Sequence, residues 1–384
     1  MMLKLLMSML VVSMICSSGV LGIQSLEEDW NATFEDVGGR SIAGAIDGGY
    51  IIAGEIDSAI NDNSDIYLLK VDSNGNKEWD KTFGTNYDDY SCLVQTTKDF
   101  GYLIAGRVWG FLTPNDAWLI KTNSTGEMEW NKMYNDFHPS WIGEYASETN
   151  DGGFIIVGDT LPTSNYGDIV LTKTDSHGNK EWRQIFSISG DGGANSIKVT
   201  NDGGYVILAQ TDMGGPFDDV LLIKTDEYGT VTWTKTFGGL VVDDRGSSVQ
   251  QTTDGGYVFV GYTGNRDSCY DVYLVKTSAN GDLDWYRTFG GSDYDWGYSV
   301  QECDDGGYIV LGQTKSYGAG EGDVYLIKTD SNGIMEWDRT IGGSLQDEGH
   351  QILKTSDSGY IIMGYTESYG ADSGALWLIK LKYV

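Results

Sequence analysis

Asp254-Gly255-Gly256-Tyr257 is one of seven copies of a short turn, and the spacing of those copies decides the architecture. The others start at Asp47, Asp99, Asp151, Asp202, Asp305 and Asp357, each 51 or 52 residues after the last. A fixed period of this length marks one supersecondary unit repeated along the chain. Around Asp254 the unit reads as four strands, A to D: Ser248 to Thr253, Gly256 to Tyr262, Asp271 to Thr277 and Leu283 to Phe289. Strand C alternates, with Tyr273 and Val275 on one side and Leu274 and Lys276 on the other. The Asp-Gly-Gly turn joins A to B. Turns such as Ser73-Asn74-Gly75, Ser176-His177-Gly178 and Ser331-Asn332-Gly333 join C to D, with glycine free to take positive φ.

Composition agrees with many short strands and tight turns: 384 residues hold 53 Gly, only 4 Pro, 24 Tyr and 12 Trp. One Trp marks strand D of six units, at Trp79, Trp130, Trp182, Trp233, Trp285 and Trp337. A seventh, Trp30, precedes the first complete unit in Asp29-Trp30-Asn31-Ala32-Thr33-Phe34, which copies Glu78-Trp79-Asp80-Lys81-Thr82-Phe83. The chain ends at a strand C, Trp377-Leu378-Ile379-Lys380, with no strand D behind it. The two ends therefore complete one unit between them. The expected fold is all-β: a seven-bladed β-propeller of four-stranded antiparallel blades, its ring closed by the N-terminal strand. The blades fall at about 40–83, 92–134, 144–186, 195–237, 247–289, 298–341, and 350–384 with 28–34. Closure removes the free sheet edges that favour aggregation. A linear solenoid would need capping repeats instead. The repeated Trp is expected to pack blade on blade, not to offer seven sugar platforms.

Met1 to Gly22 has the form of a secretory signal, with Lys4 at its start, an apolar run from Leu5, and small residues leading to cleavage before Ile23. An uncleaved anchor is the alternative, although the apolar run is shorter than the roughly 20 residues of a membrane span. A secreted or cell-surface location follows. The formal charge of −31 argues against nucleic acid or an anionic membrane as partner, since both require clustered Lys and Arg. Cys92, Cys269 and Cys303 remain after the signal, an odd number at unlike positions, so no disulfide framework is expected.

The segment Lys70-Val71-Asp72-Ser73-Asn74-Gly75-Asn76-Lys77-Glu78-Trp79 recurs in related form from Lys121, Lys173, Lys224, Lys276 and Lys328. It resembles the Asp, turn-Gly, Trp docking motif of quinoprotein-like propellers. The whole chain is similar to secreted archaeal and bacterial propellers built from Asp-Gly-Gly-Tyr repeats of about 50 residues. That resemblance speaks for the fold and says little of activity. Quinoprotein dehydrogenases, as that family implies, carry eight blades, adjacent cysteines over the quinone and an axial calcium. This chain has seven units and no adjacent cysteines. No cofactor is expected, with calcium left open.

In a propeller of this order the D-to-A and B-to-C links share one face, and that face carries the long loops. A ligand is expected there or at the mouth of the central channel. An Asp opens strand C at Asp65, Asp116, Asp168, Asp219, Asp271 and Asp323, with Ala375 in the last blade. Six copies suit a structural acceptor of hydrogen bonds, or a ring of carboxylates for cations. Residues that break the repeat are the better functional candidates. Trp109 and Phe111 in one long loop, with Asp136, His138 and Trp141 in the next, are the candidate ligand-binding cluster. The competing expectation is that these loops bury their rings against each other. His138, His177 and His350 form no metal-ligand pattern. The pairs Asp293 with Asp295, Asp243 with Asp244 and Asp347 with Glu348 offer acid and base, but in so acidic a chain they are expected to be solvated loop carboxylates.

Taken together these features point to a non-enzymatic extracellular propeller that recognises a glycan or a protein through its long-loop face. A carbohydrate-active hydrolase or lyase using paired carboxylates, and a cell-envelope assembly module, are the alternatives.

Overall fold

The computed structural model describes residues 25–57, 63–109, 116–134, 145–159, 168–188, 192–212, 215, 217–239, 241–265, 269–370 and 374–384. These residues form seven four-stranded antiparallel sheets. Blade one runs Val37–Gly44, Tyr50–Asp57, Ser64–Val71 and Lys77–Phe83. Blade five runs Asp243–Gln251, Tyr257–Asn265, Cys269–Thr277 and Leu283–Phe289. In blade seven, Asp347–Lys354, Tyr360–Thr366 and Ala375–Tyr383 are joined by Leu26–Glu35 from the other end of the chain. The pairing runs from Leu26 opposite Tyr383 to Glu35 opposite Ala375. This is a seven-bladed β-propeller.

Each strand A packs against the strand A of the next blade, all the way round, so the first strands surround the axis. Strands B and C are buried on both faces and read as nearly continuous apolar runs. The alternation in strand C separates two neighbours. Tyr273 and Val275 pack with Val206, Leu208 and Phe237 of blade four, whereas Val272 and Leu274 pack with Val300, Val310 and Ile327 of blade six. The core therefore lies between blades, and its energy is spread around the ring.

The repeated turn is explained by a buried lysine. Lys276 is 4% exposed, and its Nζ lies 2.9 Å from Asp254 Oδ2, 3.6 Å from Asp284 Oδ2 and 2.8 Å from the Thr277 carbonyl oxygen. Lys70, Lys121, Lys173, Lys224, Lys328 and Lys380 pair with the turn Asp of their own blades in the same way. A charge this deep survives because carboxylates and carbonyls surround it. The second turn glycine makes room for it: a Cβ on Gly256 would lie 2.2 Å from the Thr277 oxygen and 2.5 Å from Lys276 Nζ.

The same pairs set the acid limit of the fold. Burial opposes ionisation of Asp151, Asp202, Asp254 and Asp357, but the turn Thr, the Lys and a backbone N–H outweigh it and hold all four at about 2. A carboxyl lowered from 3.8 stabilises the folded state above that pH and loses its contribution as pH falls through about 2. Near-ultraviolet circular dichroism is expected to show tertiary structure melting between about pH 4 and pH 2. A tryptophan signal retained at pH 2 would remove these pairs from the account.

The Trp rings sit between blades. Trp233 is half-buried and packs on the next blade's turn glycine, where a Cβ on Gly281 would lie 2.6 Å from its ring, and tilts against Tyr257 at 5.6 Å. Trp30, Trp79, Trp130, Trp182 and Trp285 meet Gly75, Gly126, Gly178, Gly229 and Gly333 in the same way, and Trp337 packs with the cluster around Leu26 and Leu381.

Strand A of blade five begins at Asp243, ahead of the Ser248 expected from the sequence. The extension crosses a bulge between Gly246 and Ser248, and equivalent bulges occur in blades one, two, four, six and seven. This shift also corrects two site expectations. His350 lies mid-strand at the blade-seven bulge, not at the strand start. Asp244, Asp295 and Asp347 are strand residues only 0–2% exposed, not solvated loop carboxylates. The preceding blade covers them, which no local pattern reveals.

Candidate functional site

The bulges break the repeat where the strands approach the axis. In each bulged blade the extra residue differs: Arg40, Cys92, Asn195, Ser247, Tyr298 and His350. The strand-B residue after the facing small residue varies as well: Glu55, Arg107, Gln210 and Gln313, Tyr262 and Tyr365. A bulge re-aims its side chains. A uniform scaffold thus carries non-uniform chemistry around the ring axis, near the starts of strands A and the ends of strands B, towards the long-loop face.

These side chains form a connected polar arc. Arg40 Nε lies 3.0 Å from Glu55 Oε2, and burial pushes the Glu55 carboxyl up against the pull of Arg40, Arg107 and His350. His350 spans blades seven and one, with Nδ1 3.1 Å from the Gly39 carbonyl and Nε2 3.2 Å from Glu348 Oε2. That contact with His350 holds the Glu348 carboxyl below its usual range, with help from Gln346 and Gln313. Burial raises the Tyr298 phenol, and the Glu348 and Tyr262 side chains add to the effect. Arg245 Nη2 reaches Asp218 Oδ2 at 2.5 Å and also acts on Tyr262. Arg107 is 3% exposed, with its guanidinium 4.9 Å from the Tyr90 ring centroid and 5.9 Å from that of Trp109.

An aromatic ladder lies beside the arc. Tyr262 meets Tyr270 at 5.0 Å, Tyr270 meets Tyr294 at 5.6 Å, and Tyr294 stacks on Trp296 at 5.5 Å with 8° between planes. All four rings are half-buried and span blades five and six. Lys315 Nζ lies 5.9 Å from the Trp296 ring centroid. Such rings offer flat apolar faces beside hydrogen-bonding groups, the combination that recognises sugar rings or a partner's side chains.

Of the aromatic cluster expected from the sequence, Trp109 is 45% exposed at the end of Tyr102–Trp109. Phe111, Asp136, His138 and Trp141 lie outside the described residues. The strand-C aspartates do not converge as one ring. Asp65, Asp219, Asp271 and Asp323 each face the next blade, and Asp116 and Asp168 hold the same position in their own blades. Among the described residues no group of three or more His, Cys, Asp or Glu is placed to hold a metal ion. Cys92, Cys269 and Cys303 are free thiols. The ladder and the arc were missed in the sequence because Tyr262 looks like an ordinary strand aromatic, while Tyr294 and Trp296 fall in the region read as one of several long links between blades. The available signal was that Tyr294 and Trp296 do not repeat, since Asp243 with Arg245 and Gln346 with Glu348 stand at the equivalent positions in blades five and seven.

The chain is similar in fold to the WD40 domain of Pan2 from Neurospora crassa, at 10% identity and a TM-score of 0.56 over 94% of this chain and 96% of that one. It is also similar to a puromycin hydrolase, at 10% identity and a TM-score of 0.50, covering 85% of this chain and 50% of that one. At these identities the likeness shows the fold alone. No protein-family model and no curated protein matches the chain.

Proposed function

We propose that the protein is a non-enzymatic extracellular binding propeller that recognises a glycan at the long-loop mouth of its channel. The observation that carries this reading is the ladder of Tyr262, Tyr270, Tyr294 and Trp296 running into charged, non-repeating channel residues. Stacked rings supply sequence-tolerant apolar contact, while Arg245, Gln313 and Glu348 supply directional hydrogen bonds to hydroxyls. A secreted or cell-surface location is consistent with the signal-like start and with the resemblance to secreted Asp-Gly-Gly-Tyr propellers.

A glycan array probed with the protein tests this directly. Binding is expected to drop at least tenfold in a Tyr294→Ala, Trp296→Ala double variant and to fall less in Trp109→Ala, which is remote from the ladder. A double variant that binds normally, or an intact protein that binds no glycan, overturns the reading; the latter moves the face to a protein partner or an assembly role.

A second reading, glycoside hydrolysis by two carboxylates, draws support from Glu55 and Glu348, whose pKa values are pushed in opposite directions within one arc. Release of reducing sugar that disappears in both Glu55→Gln and Glu348→Gln would establish it in place of simple binding.

A further inference from the structure

Two tyrosines close the outer seams on either side of blade six. In blade six the segment Ser316-Tyr317-Gly318 comes soon after Thr314, the strand-B residue opposite Asp323. The Tyr317 ring lies 5.7 Å from that of Tyr325 in strand C, and its hydroxyl donates to the Gly290 carbonyl of blade five at 2.7 Å. Ser316 Oγ donates to Asp295 Oδ2 at 2.7 Å. Blade seven repeats the arrangement with Ser368-Tyr369-Gly370. Tyr369 lies 5.3 Å from Trp377 and donates to the Gly342 carbonyl at 3.1 Å, while Ser368 donates to Asp347 Oδ2 at 2.7 Å.

Blade five departs from this pattern. Thr263 stands opposite Asp271 as Thr314 stands opposite Asp323, but the chain then continues as strand, with Gly264 opposite Tyr270 and Asn265 opposite Cys269. No Ser-Tyr-Gly follows Thr263 in the sequence. The consequence is visible at the link from blade four, where Phe237-Gly238-Gly239 matches Phe289-Gly290-Gly291 of the next link. A Cβ on Gly291 or Gly343 would lie 2.7 or 2.5 Å from the serine Cβ and 3.1 or 3.6 Å from the tyrosine hydroxyl oxygen. A Cβ on Gly239 meets, among the described residues, only Val242 at 3.3 Å. Between strand D of blade four and the face of blade five lies a cavity of about 460 Å³, lined by Phe237, Gly238, Asp244, Tyr273, Tyr286 and Thr288 among others. Its fittings match the closed seams. Tyr273 stands opposite a strand-B glycine, as Tyr325 and Trp377 do, and Asp244 Oδ2 accepts from Gly239 N–H at 2.9 Å, as Asp295 Oδ2 accepts from Gly291 N–H.

We propose that this cavity takes a tyrosine side chain presented by a partner protein, seated as Tyr317 and Tyr369 are in the two seams that follow. In that seat the ring lies against Tyr273, the hydroxyl donates to the Gly238 carbonyl, and a serine before the tyrosine donates to Asp244 Oδ2. Tyrosine suits the role because it brings a large apolar ring and one hydrogen bond with few rotatable bonds to freeze. The cavity is within the size range of ligand sites and exceeds one phenol ring, which leaves room for the residues flanking the tyrosine. It lies on the outer wall of the ring, so it stands or falls independently of glycan recognition at the channel mouth.

Saturation-transfer NMR of the whole protein with the tripeptide acetyl-Ser-Tyr-Gly-amide tests this. A Kd of about 1 mM is expected for so small a ligand. Acetyl-Ser-Phe-Gly-amide is expected to bind about fivefold more weakly, because the Gly238 carbonyl then has no hydroxyl to accept from. Thr236 is an exposed residue of the cavity wall, and Thr236→Trp fills the seat. That variant is expected to weaken binding roughly tenfold or more while its melting temperature stays within about 3 °C of the original. If Thr236→Trp does not fold, Thr288→Trp, at an exposed position beside Tyr273, reads the same loss. No tripeptide binding, equal binding of the two tripeptides, or unchanged binding in the filled variant overturns the proposal. Tighter binding of p-cresol than of the tyrosine tripeptide also overturns it and assigns the cavity to a free phenol.

Discussion

A chain lacking Leu26–Glu35 is expected to lose its cooperatively melting monomeric fold. That segment is the outer strand of blade seven, paired along its whole length with Ala375–Tyr383. It buries Leu26 and half-buries Trp30 and Phe34, and large apolar side chains contribute roughly 1.5–3 kcal/mol each when fully buried. Trp30 also fastens blade one, donating from Nε1 to the Ser73 carbonyl at 3.1 Å and covering Gly75. Against a typical total of about 5–15 kcal/mol, these losses exceed what a ring can absorb at one blade. The exposed edge Leu376-Trp377-Leu378-Ile379 would then pair with other chains. Size-exclusion chromatography with light scattering should show aggregate in place of monomer. A truncated monomer melting within a few degrees of the intact protein would contradict the closure.

Gly256→Ala is expected to destabilise the protein by about 3 kcal/mol or more, and Gly255→Ala by only about 1 kcal/mol. The first turn position requires positive φ, at 84° for Gly255, yet Phe100 and Ser358 occupy it in blades two and seven at 68° and 65°. The strain there is bearable. The second position is glycine in every repeat, because a Cβ would strike a backbone carbonyl and displace the buried Lys from its carboxylates. The carbonyl belongs to the backbone of strand C and cannot swing aside, and the lysine can do so only by leaving its carboxylates. Chemical denaturation of the two variants measures the difference, and equal losses would mean that the lysine seat is less rigid than its geometry implies.

The period of the Asp-Gly-Gly turn and the stray Trp30 made the number of blades and the closure legible from sequence alone, since both are properties of the repeat. The candidate site was not legible for the opposite reason. Arg40, Tyr298 and His350 sit at bulges, where one extra residue decides which side chain faces the axis, and nothing in the alternation of a single strand marks that shift. Asp244 and Asp295 read as loop carboxylates because the chain is so rich in acidic residues that a pair of them carries no signal of its own. Their burial comes from packing between blades, which only the closed ring creates. The Trp109 region attracted attention for its composition, but most of that cluster lies outside the described residues.

Amide hydrogen exchange, with and without the glycan that binds best on the array, tests most directly whether a repeated scaffold here presents one non-repeating binding mouth. The account predicts protection concentrated in 243–251, 257–265, 294–298 and 347–354, with the Asp-Gly-Gly turns on the opposite face unchanged. Protection centred on those turns, or spread evenly over all seven blades, would contradict it.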